Sequence, residues 1–545
     1  MILGVWDGHD SGAAIIKNNK ILAAENEERY TRRKLEVHFP HNAIKACLKK
    51  IKKQPKDIRH VAYSTTDFSL TLTRLFPKIK ESYYHVRRKK RKARFPDLNR
   101  NILNTTGRLT PSRLTGYLSE KAIREELRLF PSYTLHRIDH HKAHAASAYY
   151  TSGMEHALVF TLDGLGDGLS GTVSIGKGKE LKRLQRFKTK DSLGLFYQEV
   201  TSLLGMRILE DEGKVMALAD HCQIKENPMR SLFRVDNGNI KSTMPLAQRY
   251  RFLKKLREKT TPEQFARMAQ ETLEHASYKL IHYYTDQLGI KDVCFAGGIF
   301  ANIKHNQVIS DGLNWYIFPH MGDGGLAVGA ALAVSPIRPK ITVIPAGESF
   351  TTKEIAKSIS TRNLKHTRTK DPAKKAAELI SKGEIVFWFQ GGMEYGPRAL
   401  GKRSILADPQ NIKVKDTLNL EIKKREWYQP FCPSILESEA KRLFKDYRCS
   451  DPYMTMGYEL KSKTLQAVVD NSNCCRPQIV KDSQNGPYPK LLRELKKRTG
   501  IGAVLNTSFN IHGEPLVRTP EDALDVYERT PCGTLIMEDF IITRC

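Results

Sequence analysis

The stretch Ile138-Asp139-His140-His141-Lys142-Ala143-His144-Ala145-Ala146 decides how the rest of this sequence is interpreted. It holds three histidines in five residues and runs into small residues that favour a helix. On a helix, the four-residue spacing of His140 and His144 places both imidazoles on one face, about one turn apart, which suits two ligands of one metal ion. His141 points roughly 100° away and stays outside the ligand set. The alternative is a polar helix start whose histidines only cap the helix and contact solvent.

Two aspartates strengthen the metal interpretation. Asp163 ends the apolar run 157–162, and Asp323 follows the run 315–320. We expect both carboxylates at strand ends beside glycines, where a ligand can approach the backbone closely. A set of two histidines and two aspartates suits Fe, Mn or Zn, and the sequence does not choose among them. The predicted metal ligands are His140, His144, Asp163 and Asp323.

The composition is that of a soluble globular protein of more than one domain. A chain of 545 residues is too long for one hydrophobic core. Hydrophobic residues make up 40% of it, the mean hydropathy is −0.46, and no apolar run approaches the ~20 residues that cross a bilayer. The nine cysteines form no CxxC pair, and the N-terminus carries no secretion signal. We therefore expect a cytoplasmic protein with reduced thiols and no membrane partner.

The net charge is unusual. Eighty-nine Lys and Arg against 59 Asp and Glu give +30. A polyanionic partner such as nucleic acid explains this excess, because phosphate contacts draw on it. A basic segment at 78–95, with six consecutive cations at 87–92 and interleaved Tyr83, Tyr84 and Phe95, has the composition of a phosphate-tracking arm. The alternatives are a lysine-rich lineage, a solubility effect and a solvated charged helix.

Strand and turn signals indicate an internal duplication. Residues 1–30 read as three strands, with the loop Asp7–Gly12 after the first. The same order of three strands recurs at 157–187, where an Asp/Gly loop again follows the first strand. Duplicated sheets with facing polar loops hold nucleotide phosphates between two lobes. A third glycine loop at 294–302 is a weaker candidate for contact with an adenosine or a phosphate. Its predicted binding residues are Gly297, Gly298 and Asn302.

The break at 335–340 predicts a domain boundary. We place the first domain at 1–338 and the second at 346–545, where helices and strands alternate. Helices in the first domain are predicted at 40–53, 116–129, 192–204 and 262–288.

The most specific stretch of the chain is Met393–Pro409, which reads MEYGPRALGKRSILADP. With it, the chain resembles the O-carbamoyltransferases of the nodulation and antibiotic-tailoring type over nearly its whole length. The resemblance implies an α/β fold: a duplicated, actin/hexokinase-like large domain similar to the tRNA threonylcarbamoyl-transferase, and a C-terminal YrdC-like domain. Besides the histidine stretch, the supporting motifs lie at 27–30, 213–219, 296–302, 322–325, 505–510 and 512–515.

What the resemblance implies is a two-step reaction. The C-terminal domain combines ATP, with its Mg²⁺, and carbamoyl phosphate to give carbamoyl adenylate. The large domain then passes the carbamoyl group to an acceptor hydroxyl beside an Fe(II)-type site. Fixed cations and short polar side chains suit the phosphates; a surface salt bridge is the alternative for each arginine. The implied cofactor-binding residues of this domain are Arg398, Arg403, Ser404, Lys423, Arg425, Asn506, Ser508 and Arg518.

Three residues of the large domain are candidates for catalysis. Asp7 and His9 are candidates to accept the hydroxyl proton, with backbone capping in a tight turn as the alternative. The resemblance adds Lys214, in the motif at 213–219. Where the family pattern has Arg-Pro-Phe-Ala-Pro, this chain has Gln429-Pro430-Phe431-Cys432-Pro433, which removes a cation expected near a phosphate. Gln429 is therefore left off the predicted site, and Ala217, in place of glycine, is taken as a packing change.

The acceptor stays open at this point. One class of acceptor is a hydroxyl on nucleic acid, such as hydroxymethylcytosine in DNA, in a bacterium or a virus-infected host cell. The second is a small molecule or oligosaccharide, with the charge incidental. A non-catalytic nucleotide-binding module is the third alternative, against which the retained ligand set and Arg398 argue. A homodimer is also compatible with the sequence.

Overall fold

A computed structural model describes residues 1–18, 20–90, 109–336, 341, 344–362 and 364–544. The chain forms two compact units. The first contains Met1–Glu27 and Leu35–Ile344, and the second contains Glu28–Lys34 and Pro345–Cys545. The short segment Glu28–Lys34 therefore belongs to the second unit although its flanks belong to the first, which the sequence did not indicate.

Two five-stranded sheets and a two-stranded ribbon form the first unit. The sheet orders are β3-β2-β1-β4-β5 and β8-β7-β6-β11-β12, and β9 pairs with β10. The strands are β1 Ile2–Trp6, β2 Gly12–Lys17, β3 Lys20–Asn26, β4 His60–Ser64, β5 Thr134–Ile138, β6 His156–Gly166, β7 Leu169–Lys177, β8 Glu180–Lys188, β9 Phe233–Asp236, β10 Asn239–Ser242, β11 Asp292–Ala296 and β12 Asn314–Ile317.

The two sheets have the same topology. In each, three sequential strands pair antiparallel, and the first of them also pairs parallel with a strand that continues the sheet. The predicted duplication and the α/β fold class are thus confirmed. Helices cover the sheets, and all five residues of β1 are buried, as in a strand covered on both faces.

The helices of the first unit include each of those predicted. A Cβ at Gly329 would lie 1.9 Å from the carbonyl oxygen of Ala143, so only glycine permits the two helices that carry these residues to pack this closely. The helices are His41–Lys50, Phe68–Leu75, Pro77–Arg87, Arg113–Glu126, His140–Ser152, Leu193–Leu203, Glu212–Leu218, Leu246–Arg257, Pro262–Leu288, Ile303–Ile309 and Leu326–Val334.

One strand end differs from the prediction. Asp163 does not end its strand, because β6 continues to Gly166 and its pairing with β7 loses register between Leu162 and Gly166. Such an irregularity redirects a side chain and is frequent beside active sites. Here it re-aims the Asp163 carboxylate.

The second unit is built on one eight-stranded mixed sheet of order β13-β22-β21-β14-β15-β20-β16-β19, with β17 and β18 as a separate ribbon. Trp388 is fully buried in its core. The strands are β13 Lys365–Arg368, β14 Val386–Phe389, β15 Arg403–Ala407, β16 Cys432–Leu436, β17 Tyr458–Glu459, β18 Cys474–Cys475, β19 Gln478–Val480, β20 Ala503–Ser508, β21 Thr534–Met537 and β22 Phe540–Thr543. The helices are Glu28–Thr31, Thr352–Ser360, Pro372–Ser381, Lys413–Asp416, Glu437–Leu443, Pro487–Thr499 and Pro520–Glu528, with a π-helix at Thr417–Ile422.

No helix in the described part of either unit combines the length and the apolar character that a bilayer crossing requires.

Three cations of the predicted basic arm are internal to the first unit. Lys80, Arg87 and Arg88 are buried in or directly after the helix Pro77–Arg87. Arg88 forms an ion pair of 3.2 Å with Glu210, and the other two donate to main-chain carbonyls of the same unit. For these three cations the interpretation as a phosphate-tracking arm is wrong, because their side chains are buried. Positions 91–95 of the predicted arm lie outside the described residues.

Candidate functional site

Four side chains from distant parts of the first unit converge on one point. Nε2 of His140 lies 3.3 Å from Oδ2 of Asp163 and 3.7 Å from Oδ1 of Asp323. Nε2 of His144 lies 3.2 and 3.3 Å from the same two oxygens. Both histidines lie on the helix His140–Ser152, which Asp139 caps through the N–H of Lys142. All four ligand atoms lie within 4.8 Å of one another, as the sequence predicted.

The set fits a first-row transition metal. Ligand bonds of about 2.1 Å at tetrahedral or octahedral angles separate neighbouring ligand atoms by about 3.0–3.4 Å, close to the spacing found here. Burial and the nearby Asp163 raise the pKa of Asp323 well above its usual range. Burial also opposes charge on Asp163, yet hydrogen bonds from both histidines hold the pKa of Asp163 well below its usual range. A divalent cation would relieve this conflict between two buried carboxylates.

The glycine pair of the third loop orients Asp163. The N–H of Gly298 donates to Oδ1 of Asp163 at 3.2 Å, and the N–H of Gly164 donates to the same oxygen at 2.7 Å. Gly297 has φ +111°, and a Cβ there would lie 2.2 Å from the carbonyl oxygen of Leu162, so no other residue fits. With Oδ1 held, Oδ2 faces the histidines. These contacts tie the glycine pair to the candidate metal ligand Asp163, and the contact of Gly297 and Gly298 with a nucleotide stays a prediction.

Asn302, the third residue predicted in that loop, is engaged inside the protein. Its side chain caps the helix Ile303–Ile309 and exchanges two hydrogen bonds with Gln270, at 2.8 and 3.2 Å. This placement does not support a nucleotide contact by Asn302.

His140 has a further layer of contacts. Its Nδ1 lies 2.9 Å from Oγ1 of Thr65, and its main-chain N–H donates to Oδ2 of Asp167 at 2.8 Å. The buried neighbour His141 turns instead to Oγ1 of Thr161, at 3.0 Å. Nδ1 of His140 is thus occupied by an oxygen, which leaves Nε2 to face the ligand set.

Of the three predicted catalytic residues, His9 lies beside the four candidate metal ligands. Its Nε2 is 3.4 Å from Oδ2 of Asp323, and about a third of its side chain is exposed. Burial and the positive charge of Arg87 lower the pKa of His9 to about 3, so the imidazole is neutral, and its partly exposed position beside Asp323 makes it reachable for an acceptor hydroxyl. Lys214 is instead ion-paired with Asp211 at 3.2 Å.

Asp7 is held by two buried cations. Nε and an Nη of Arg74 donate to its two oxygens at 2.8 and 2.7 Å, and Lys80 donates to its carbonyl oxygen. Burial alone would raise the pKa of Asp7, but Arg74 and Lys80 lower it to about 2. Both carboxylate oxygens of Asp7 are occupied by the buried guanidinium of Arg74, whereas the imidazole of His9 is partly exposed, so the structure favours His9 as the proton acceptor.

Replacing Asp7 with asparagine should lower the free energy of unfolding by about 3–5 kcal/mol, because it leaves Arg74 buried without its counter-charge. Since the native pKa of Asp7 lies below its unfolded value of about 3.9, the wild type should hold this advantage at neutral pH and lose it as the pH falls from about 4 toward 2. Urea unfolding at several pH values measures both effects.

Asp236→Asn is the control, because this aspartate is 47% exposed in a surface pair with Arg234. It should change stability little. Equal stability of Asp7→Asn and wild type at neutral pH would contradict the structural role of Asp7.

The second unit contains a cluster of arginines around Cys432. Arg476 donates through Nε to Sγ of Cys432 at 3.2 Å, and the charges of Arg398 and Arg425 act on the same neighbourhood. Burial first, and then the repulsion of Arg476, lower the pKa of Arg398 to about 9 and contribute to lowering that of Arg425 to about 10. Nε of Arg398 and one Nη of Arg425 are buried, with no hydrogen-bond partner among the described residues. Buried guanidinium groups that keep N–H donors without partners are suited to bind an anion.

Polar side chains adjoin this cluster. Nζ of Lys423 donates to Oδ1 and the carbonyl oxygen of Asn510, at 2.8 and 2.9 Å, and also to Ser508. Asn506 faces Cys432 across β20 and β16, and its Nδ2 donates to the carbonyl oxygen of Ala399 at 3.0 Å. That bond fixes the orientation of the amide. Oδ1 of Asn506 is buried and finds no partner in the described structure.

Three predicted phosphate-binding residues are used inside the second unit. Arg403 is fully buried and donates to the carbonyl oxygens of Gln390, Gly391 and Lys402. Ser404 is buried in β15 and accepts from the N–H of Gly401. Arg518 forms an ion pair of 3.0 Å with Glu348 and lies over the ring of Tyr30. These contacts do not support a phosphate contact by Arg403 or Ser404, and leave Arg518 neutralised.

The sequence analysis missed Thr65, Arg476 and Asn510. Thr65 and Arg476 lie in no recognised motif, so no local signal marked them. Asn510 lies inside the quoted motif 505–510, two residues after Ser508, and its spacing could have been used. Arg476 brings a third cation to the cluster, in a chain whose Gln429 replaces an expected arginine.

Comparison with known proteins gives one consistent answer. The family model described as Carbamoyltransferase N-terminus matches residues 1–332, and the one described as Carbamoyltransferase C-terminus matches residues 377–544. Nodulation protein NolNO of Sinorhizobium fredii is 32% identical over 98% of this chain and 79% of its own length. Nodulation protein NolO of Bradyrhizobium diazoefficiens is 33% identical over 75% of this chain and 79% of its own length.

Two further similarities carry no functional information. An uncharacterized protein of Methanocaldococcus jannaschii is 33% identical over 78% of this chain and 77% of its own length. Among solved structures, full-length HypF in its phosphate- and nucleotide-bound form covers 62% of this chain and 55% of that chain, at 13% identity and a TM-score of 0.33.

Proposed function

Because this chain belongs to the carbamoyltransferase family, and is therefore a transferase, we propose that it works in two steps on an acceptor hydroxyl. Its second unit uses water to cleave carbamoyl phosphate to carbamate and phosphate, and a carbamate oxygen then displaces pyrophosphate from the α-phosphorus of ATP to form carbamoyl adenylate. Its first unit transfers the carbamoyl group beside a bound metal, proposed to be Fe(II). The observation that carries the proposal is the convergence of two imidazoles and two carboxylates on one point.

For the first step, the arginine cluster is the proposed phosphate site. Arg398, Arg425 and Arg476 would neutralise the phosphates of MgATP and carbamoyl phosphate. The orphaned Oδ1 of Asn506 is an acceptor suited to the N–H₂ group of the carbamoyl moiety. This pairing would favour carbamoyl phosphate over an acyl phosphate without an N–H, since a buried acceptor left unpaired costs free energy.

For the second step, His9 is the proposed proton acceptor. As the acceptor oxygen forms its bond to the carbamoyl carbon, the bond from that carbon to the adenylate oxygen breaks and AMP leaves. The hydroxyl proton moves to the neutral imidazole of His9. His140, His144, Asp163 and Asp323 would hold the metal, which when bound supplies Lewis acidity toward a carbonyl or phosphate oxygen.

For the acceptor, we propose a hydroxyl on nucleic acid, specifically hydroxymethylated cytosine in DNA. The support is the net charge of +30, which transfer to a small neutral molecule does not need. Lys80, Arg87 and Arg88 do not contribute to this proposal, because their side chains are buried. A small-molecule or oligosaccharide hydroxyl is the alternative.

The test mixes the chain with ATP, carbamoyl phosphate and DNA containing hydroxymethylcytosine. The mass of one carbamoyl group should be added to each modified base, more readily on single strands because a stacked base must first be flipped out. DNA affinity should fall on the order of a thousandfold between about 50 and 200 mM salt if six phosphates are contacted. Mass spectrometry and binding titrations measure these effects.

Omitting ATP or carbamoyl phosphate, and using DNA without hydroxymethyl groups, provide the controls. Salt-insensitive DNA binding with no mass gain would reject nucleic acid as acceptor and favour the small-molecule alternative. Mass gain without ATP would reject the adenylate step.

A further inference from the structure

We infer that Thr65 is a positioning residue for the metal centre: its hydroxyl fixes the orientation of the ligand His140. The inference rests on the metal binding proposed above. The contact that points to it is the 2.9 Å distance between Oγ1 of Thr65 and Nδ1 of His140. Both side chains are buried, at 3% and 1% exposure, so water does not replace this bond.

The backbone of Thr65 is held in an unfavourable conformation. Its φ is +68°, in the left-handed region that a β-branched residue rarely adopts. Strain of this kind costs on the order of 1–3 kcal/mol and persists only where surrounding contacts over-determine it, which is common at functional sites. At Thr65 the conformation directs Oγ1 to His140 immediately after β4.

The surrounding contacts that hold this turn are present. The N–H of Thr65 donates to the carbonyl oxygen of Ile138 at 3.1 Å. Arg74 donates to the carbonyl oxygens of Thr65 and Ser64, at 2.7 and 3.1 Å, while it also binds Asp7. The buried pair of Asp7 and Arg74 therefore holds the turn that places the Thr65 hydroxyl next to His140.

A second set of hydrogen bonds, through Asp167, connects the turn to His140. Asp167 accepts the N–H of Thr66 on one oxygen and the N–H of His140 on the other, both at 2.8 Å. The turn and the start of the ligand helix are thereby bound to one carboxylate. In this frame the Thr65 hydroxyl pairs with Nδ1 of His140, and Nε2 is left facing Asp163 and Asp323.

The test is Co²⁺ binding to metal-free protein, followed by visible absorption and calorimetry. Wild type should bind one Co²⁺ per chain. Thr65→Val keeps the shape and β-branching but loses the hydroxyl, so its affinity for Co²⁺ should fall about 10- to 100-fold and its absorption spectrum should change. Thr65→Ser restores the hydroxyl and should bind within a few-fold of wild type.

Two further variants keep the test decisive. Thr65→Gly also lacks the hydroxyl but adopts a positive φ without strain, so a binding loss in this variant is not a folding defect. Thr71→Val removes another buried threonine hydroxyl of this unit, bonded to Ser119 at 2.7 Å, and should bind Co²⁺ like wild type.

The outcomes distinguish the role of Thr65 from the proposed metal binding on which it rests. Wild-type protein that binds no Co²⁺ would overturn the metal centre itself. Wild-type binding together with unchanged affinity in Thr65→Val or Thr65→Gly would overturn only the role of Thr65. A loss in Thr65→Ser as large as that in Thr65→Val would also overturn it.

Discussion

Replacing either His140 or His144 with alanine should abolish carbamoyl transfer, with a loss of at least about a thousandfold. Each change removes one of four converging ligands, and the metal's stabilisation of developing charge, worth several kcal/mol, is lost with it. Pyrophosphate release from ATP that depends on carbamoyl phosphate should continue, because the arginine cluster belongs to the other unit. The measurements are metal content, transfer rate and pyrophosphate release.

His156→Ala is the matched control, because this histidine is exposed at the start of β6. It should keep its metal content and its transfer rate. Transfer at the wild-type rate by His140→Ala or His144→Ala would reject the metal centre.

Arg398→Ala should suppress the first step by about a hundredfold or more. Hydrogen bonds to charged groups contribute about 1.5–3 kcal/mol each, and a guanidinium typically gives a phosphate two of them. Arg398 has a buried, unpartnered Nε and is surrounded by other cations, so its charge is available to an anion. Pyrophosphate release with ATP and carbamoyl phosphate measures the loss.

Supplying preformed carbamoyl adenylate should restore transfer by Arg398→Ala, since the metal centre is unchanged. Arg368→Ala is the control in the same unit: this arginine is 61% exposed and paired with Asp539, and it should not affect either step. A folded Arg398→Ala that the adenylate does not rescue would contradict the proposed division of the chemistry between the two units.

Much of the site was predictable because its signals are local. The spacing of His140 and His144 is four residues on a helix, and helix geometry alone puts their imidazoles on one face. Likewise, the duplicated strand-turn pattern requires only period-two alternation and turn residues, and the two matching sheets confirm it. The family motifs led to Arg398 and to the loop that contains Asn506.

The failures concern which of several plausible polar residues is free to act. Asp7 and Asn302 have suitable side chains in the predicted loops, but each is bound by partners inside its own unit. Arg403 is fully buried and donates through both Nη atoms to main-chain carbonyls. Whether a polar side chain is available to a substrate depends on contacts across the fold, such as that of Arg74 with Asp7, which are 67 residues apart. Sequence patterns carry no record of such pairs, so a residue with suitable chemistry and a residue already occupied look alike.

The sequence by itself therefore determined the ligand helix, the duplicated lobes and the types of residue at both sites. The tertiary structure decided that Gly298 orients Asp163, that Arg476 joins the arginine cluster, and that Thr65 contacts His140 from 75 residues away. The physical reason is the sequence separation over which each kind of interaction acts. Helix and strand periodicity are set by neighbouring residues, whereas hydrogen bonds between separate strands and helices exist only once both sheets have formed and brought these residues together.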